Sequence, residues 1–214
     1  MKQIAVVGCI FMGLLSLPAC GTDPNLVLSY AESGKTSAMK TLLRKRSLVN
    51  HSDEFGTTAL MIASAKGNAD IVKLLLDTGA DPNQRNLEGE TALHEAAENS
   101  RPEAVMALLQ GGADVNIKDK LGFTPIHVAT DKGSGKIVHM LLAHRAKVNL
   151  INTYEWSPLS IACRRGHTRI VKMLLAHGAK LDLGGGRHSN AMNEAVHHGH
   201  SEIVRILIAH QSNR

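Results

Sequence analysis

The chain is 214 residues long, with 24 Lys and Arg against 19 Asp and Glu, and aromatic residues make up 3% of it. A formal charge of +5 is too small an excess to point to nucleic acid. No nucleophile elbow or paired-carboxylate motif appears, so the chain reads as a binder and not an enzyme.

Residues 1–19 differ from everything after them. Lys2 supplies a short positive start, Ile4 to Leu17 form an apolar run, and Leu17-Pro18-Ala19-Cys20 closes it. The run is too short for a bilayer-spanning helix, which needs about 20 apolar residues, and it reads as a secretory signal. The terminal Leu-x-Ala-Cys resembles a bacterial lipobox. That resemblance implies that Cys20 becomes the acylated N-terminus and that residues 20–22 form a tether. Gly21 in place of Asp implies outer-membrane sorting, facing the periplasm. Several acyl chains matter because about 0.8 kcal/mol per buried CH₂ leaves a single chain marginally bound. Cys9 leaves with the signal and Cys20 is acylated, so Cys163 is the remaining thiol and no intramolecular disulfide is expected.

From residue 23 onward the chain repeats itself every 33 residues. Ala63, Ala96, Ala129, Ala162 and Ala195 stand at equal intervals, as do Leu75-Leu76, Leu108-Leu109, Leu141-Leu142, Leu174-Leu175 and Leu207-Ile208. Such self-similarity signals a stacked solenoid, in which each unit buries its apolar face against its neighbours. Subtracting 33 from Gly67, Leu75, Leu76 and Asn83 lands on Gly34, Leu42, Leu43 and Asn50, so a degenerate unit precedes the others. The expected units are about 23–55, 56–88, 89–121, 122–154, 155–187 and 188–214.

Gly89-Glu-Thr91-Ala92-Leu93-His94-Glu-Ala96-Ala97 and Gly122-Phe-Thr124-Pro125-Ile126-His127-Val-Ala129-Thr130 both resemble the Thr-Pro-Leu-His-x-Ala signature of ankyrin repeats. Runs such as Ile71-Val72-Lys73-Leu74-Leu75-Leu76 fit the longer second helix, and Gly79-Ala80-Asp81-Pro82-Asn83 the hairpin-like connection. The resemblance covers nearly all of residues 23–214 and implies an all-α ankyrin-repeat solenoid of six repeats including degenerate caps. Thr58, Thr91 and Thr124 suit the N-cap of each first helix. Gly79, Gly112 and Gly178 suit a left-handed helix end, where Arg145 stands in one unit. Cys163 aligns with Ser64, Ala97, Thr130 and Val196, a small-residue position expected to be buried. The last unit replaces the signature with Asn190-Ala191-Met192-Asn193, as expected of a terminal cap with one face in water.

Twelve histidines raise the question of a metal, but most fall on repeat positions. His94 and His127 sit in the signature, where the family uses the imidazole to bond between units. His144, His177 and His210 recur at the second-helix end, and His167 and His200 at the inter-helix turn. His188, His197 and His198 are idiosyncratic, and residues 197 and 198 point in different directions on a helix; no metal and no cofactor is expected. Ser33-Gly34-Lys35-Thr36 matches the end of a phosphate-binding loop, yet the first glycine it needs would be residue 29, a serine. Gly184-Gly185-Gly186 reads as a turn.

The aromatics carry the functional signal. In ankyrin proteins the residues flanking the glycine before the Thr-Pro pair, with the end of the first helix, line a concave binding surface. The resemblance places Phe55, Leu87, Leu121, Phe123, Tyr154 and Trp156 there, with Glu98, Asn99, Asp131, Lys132, Arg164 and Arg165 as polar surroundings. The same positions hold Thr57, Glu90 and Ser189 in other units, residues poor at core packing. Charge is unevenly spread as well: Glu88, Glu90, Glu95, Glu98 and Glu103 precede Arg164, Arg165, Arg169, Lys172 and Arg187. Ankyrin lipoproteins of this size resemble immunity proteins that neutralise phospholipase effectors of type VI secretion. The expected function is therefore a lipid-anchored module binding another protein, with such a phospholipase as the candidate. The alternatives are a periplasmic ankyrin protein supporting catalase and oxidative-stress defence, or an envelope scaffold.

Overall fold

A computed structural model of the chain describes residues 23–183 and 190–212. The signal segment, Cys20 and the tether, with Gly184 to Ser189, lie outside the described residues. The rest is helical throughout. Five helices form an inner row with α1 (Leu26–Ser33) at its head: α3 (Ala59–Lys66), α5 (Ala92–Glu98), α7 (Pro125–Asp131), α9 (Pro158–Arg165) and α11 (Ala191–His197). Behind them runs an outer row of α2 (Thr36–Leu42), α4 (Ala69–Thr78), α6 (Pro102–Gln110), α8 (Gly135–Ala143), α10 (Thr168–Ala176) and α12 (Ser201–Ser212). Contacts run between consecutive members of each row and between the two helices of each pair. This is the stacked solenoid that the spacing predicts, built from the helix pairs that the ankyrin resemblance implies.

Local chemistry explains why each inner helix starts where it does. Thr58, Thr91, Thr124, Ser157 and Asn190 stand at the N-caps in extended backbone. The Thr58 and Ser157 hydroxyls and the Asn190 amide oxygen accept from the N–H three residues on, at 3.2, 3.1 and 2.7 Å. Left-handed residues end the helices: Gly79, Gly112 and Gly178 have φ of +103°, +85° and +80°, and Arg145 takes the same place at +65°.

The core is a ribbon, not a ball. Leu60, Leu93, Ile126 and Leu159 from the inner row and Leu75, Leu108, Leu141 and Leu174 from the outer row are all buried along it. Cys163 is buried as expected, and burial pushes its thiol up to about 12, so it is inert at neutral pH.

Candidate protein-binding surface

Between one outer helix and the next inner helix the chain makes a hairpin-like excursion whose tip carries the predicted residues. A recurring anchor holds each tip. The Asp119 carboxylate accepts from the N–H groups of Leu121 and Phe123 at 2.9 and 2.7 Å. The Asn152 amide oxygen does the same for Tyr154 and Trp156 at 2.9 and 3.0 Å. Asp53 and Asn86 repeat the arrangement in the earlier units. These four positioning residues escaped the sequence reading, although their spacing of 33 was the available signal. Neighbouring tips are stitched together by backbone bonds: Leu87 donates to Phe55, Lys120 to Glu88 and Thr153 to Leu121, at 2.8, 2.9 and 2.9 Å. Leu87 thus aligns with Lys120 and Thr153, one residue off the flanking position assigned to it from sequence.

Behind the tips, His94 and His127 tie each unit to the following one. The N–H of Thr91 and of Thr124 donates to the imidazole Nδ1, at 3.2 and 3.1 Å. A backbone N–H can only donate, so the ring proton sits on Nε2. From there His94 donates to the Phe123 carbonyl at 3.2 Å, and His127 to the Leu150 and Trp156 carbonyls at 3.0 and 3.2 Å. Burial lowers both imidazoles, His127 to about 4, so the bridges are made by neutral rings.

The tips bring four predicted residues into one row. Phe123 and Tyr154 meet at 6.3 Å between ring centroids and Tyr154 and Trp156 at 6.0 Å, while the Arg164 guanidinium from α9 stacks 4.4 Å from the Trp156 ring centre. Phe123 and Trp156 are half-buried and Tyr154, between them, is 56% exposed. Phe55, Leu87 and Leu121 are exposed too, but Phe55 lies two units away and makes no ring contact with the row among the described residues.

The predicted polar surroundings divide in two. Lys132 pairs with Glu98, and Arg165 grips Asp131 through two bonds of 2.6 and 3.0 Å. These pairs join the ends of α5, α7 and α9, so much of their charge is spent within the array; exposed pairs of this kind add up to about 1 kcal/mol each. The Asn99 amide donates to the Glu95 carbonyl of its own helix at 2.9 Å. Arg164, half-buried, lies over Trp156 at the end of the row.

Two clefts flank it. One, about 240 Å³, is lined by Trp156, Arg164, Glu194, His197 and His198. The other, about 40 Å³, lies among Glu90, His94, Glu95, Glu98 and Val128. Burial, with Glu90 and Glu98 beside it, pushes the Glu95 carboxyl up to about 7. A larger cleft of about 580 Å³ opens elsewhere, where Arg145, Lys147 and His177 meet at the outer-helix ends, and holds none of the predicted residues. The His197 and His198 rings come within 5.0 Å, closer than their helix positions suggested. Even so, no group of three metal-ligating side chains is gathered among the described residues.

A family model described as ankyrin repeats matches the chain in three overlapping copies, over residues 26–119, 79–152 and 126–214. No curated protein matches it. The match indicates a protein-interaction module and no enzymatic family. With the repeated helix pairs, the bridging histidines and the hairpin tips in place, the chain belongs to the ankyrin-repeat family.

Proposed function

We propose that this chain is a membrane-anchored binding module that holds its partner against the hairpin tips and inner helices, and that the partner is a secreted antibacterial phospholipase which the chain neutralises as an immunity protein. The observation that carries the binding surface is the row Phe123, Tyr154 and Trp156 with Arg164 stacked at its end. Trp, Tyr and Arg are the residues enriched at interface hot spots, and a half-buried ring needs little further ordering to become a contact. The cleft of Glu90, Glu95 and Glu98 lies in the third unit and Arg164 in the fifth, a separation that would help orient a partner of opposite pattern.

The anchoring rests on the sequence of residues 1–20. Helix α1 begins at Leu26, six positions beyond Cys20, so an extended link reaches about 20 Å at most. An inhibitor so tethered would sit where a lipase attacks, and would act by covering the active-site mouth or the lipid-docking surface.

Affinity capture with the chain beginning at Gly21 tests the surface. Trp156→Ala with Tyr154→Ala should weaken capture about 30-fold or more, since hot-spot truncations cost about 2 kcal/mol or above. Undiminished capture by this double variant would remove the row from the binding surface. Loss of palmitate labelling in Cys20→Ala tests the anchor. Protection of cells that express a genomically adjacent phospholipase tests the immunity role, and unprotected cells would leave a binding module without it.

A further inference from the structure

Three departures from the repeat's own rules meet after α8. The connection that follows each outer helix opens with a turn, and in two units an aspartate closes it. The Asp81 and Asp114 carboxylates accept from the N–H groups of Asn83 and Asn116 at 2.9 and 2.8 Å. In the next unit the same position is Lys147. The turn keeps its place, because the Lys147 N–H donates to the Asn116 amide oxygen at 2.8 Å, just as Asp81 and Asp114 donate to Asn50 and Asn83 at 2.9 and 2.8 Å. Only the carboxylate is replaced, and the Asn149 N–H finds no acceptor among the described residues.

The second departure is Arg145, just ahead of that turn, which holds the left-handed backbone that glycine holds in three sibling units. The third is electrostatic. Lys66, Lys132, Lys136, Arg165 and Lys172 each reach a carboxylate of an adjoining unit, whereas Arg145 and Lys147 form no ion pair among the described residues. With His177 these exposed cations rim the cleft of about 580 Å³, while the mostly buried Leu142, Ala146, Val148 and Leu150 make its floor, and no carboxylate lines it. A cation near a helix C-terminus is ordinary. That preference requires neither a strained backbone nor a turn donor left without its acceptor, both of which work against folding.

We infer that this cleft binds an acidic peptide segment of another protein. One of its Asp or Glu carboxylates accepts from the Asn149 N–H, at the place the Asp81 and Asp114 carboxylates hold in their own units. Arg145 and Lys147 supply the opposite charge, which makes these bonds the stronger, charge-assisted kind. Apolar side chains beside that carboxylate cover Leu142 and Val148. A free phosphate or a lipid headgroup would satisfy the same cations but leave the apolar floor in water. The cleft holds none of Phe123, Tyr154 and Trp156, so it is a second surface, separate from the aromatic row.

Fluorescence anisotropy tests this with a labelled peptide of alternating aspartate and leucine, blocked at both ends, and its asparagine counterpart. The full-length chain in mild detergent, with empty micelles as the blank, should bind the aspartate peptide about 10-fold more tightly or better. Lys147→Asp supplies the carboxylate from within, so it should abolish that preference while leaving Tm unchanged or higher. Arg145→Gly should weaken binding while raising Tm, and Trp156→Ala with Tyr154→Ala should leave it as in the parent. Equal affinity for the two peptides, no binding, or a preference that survives Lys147→Asp would overturn the inference. So would a lower Tm for Lys147→Asp, since the turn would then have no use for a carboxylate, or loss of binding in the aromatic double variant. Displacement of the peptide by phosphatidylglycerol vesicles but not by phosphatidylcholine vesicles would assign the cleft to a lipid headgroup instead.

Discussion

Arg145 occupies a position that three sibling units fill with glycine. Its φ of +65° lies in the left-handed region, where Gly79, Gly112 and Gly178 stand at +103°, +85° and +80°. A side chain there carries a backbone cost of about 1–2 kcal/mol. Nothing lies within 4 Å of a Cβ added at those three glycines, so the site has room and the cost is conformational, not steric. Against it stands the extra freedom glycine brings to the unfolded chain, about 0.4–1 kcal/mol. Arg145→Gly should therefore stabilise the array by roughly 0.5–1 kcal/mol, which for a domain of this size raises Tm by about 1–4 °C. Thermal melting followed by far-UV circular dichroism reads the shift. Arg145→Ala separates backbone from charge, because alanine keeps the Cβ while removing the guanidinium. It should give no rise, and a small fall is expected from losing a cation at the C-terminal end of α8. A rise with alanine equal to that with glycine would refute the reasoning, as would no rise with glycine.

Buried imidazoles and a buried carboxyl should make stability respond to pH in opposite directions. His127, held down to about 4 by burial, contributes fully above pH 6.5, and about 3 kcal/mol is lost as the pH falls from there towards 4. Glu95, pushed up to about 7, contributes fully below pH 4.5 and loses its contribution as the pH rises through 7. Glu95→Gln should hence raise Tm at pH 7.5 and leave it nearly unchanged at pH 4.5; equal shifts at both would show that the carboxyl is not held neutral. Asn152→Ala removes the acceptor of two tip N–H groups and should cost about 2 kcal/mol while weakening partner capture; a melt and capture matching the parent would show that the tip holds itself. Gly122→Ala places a Cβ 3.0 Å from the Asn152 Cα at a φ of +78° and should lower Tm by several degrees, about 1–3 kcal/mol of strain. An unchanged Tm there would mean that neighbouring tips can part without loss.

The features that repeat were legible in the sequence because they are local. A threonine before an apolar run caps a helix, a glycine after it accepts a left-handed turn, and each needs only a few neighbouring residues to act. The spacing of 33 then placed Arg145 among glycines and Cys163 among small buried residues before any coordinates did. Tertiary structure alone decided how the units meet. The pairs Glu98–Lys132 and Asp131–Arg165 join residues 34 apart, and His127 bridges to carbonyls of the next tip. The physical reason is one of range. Periodicity reports what each unit does within itself, whereas the offset between units determines which side chains are consumed by the stack and which remain for a partner.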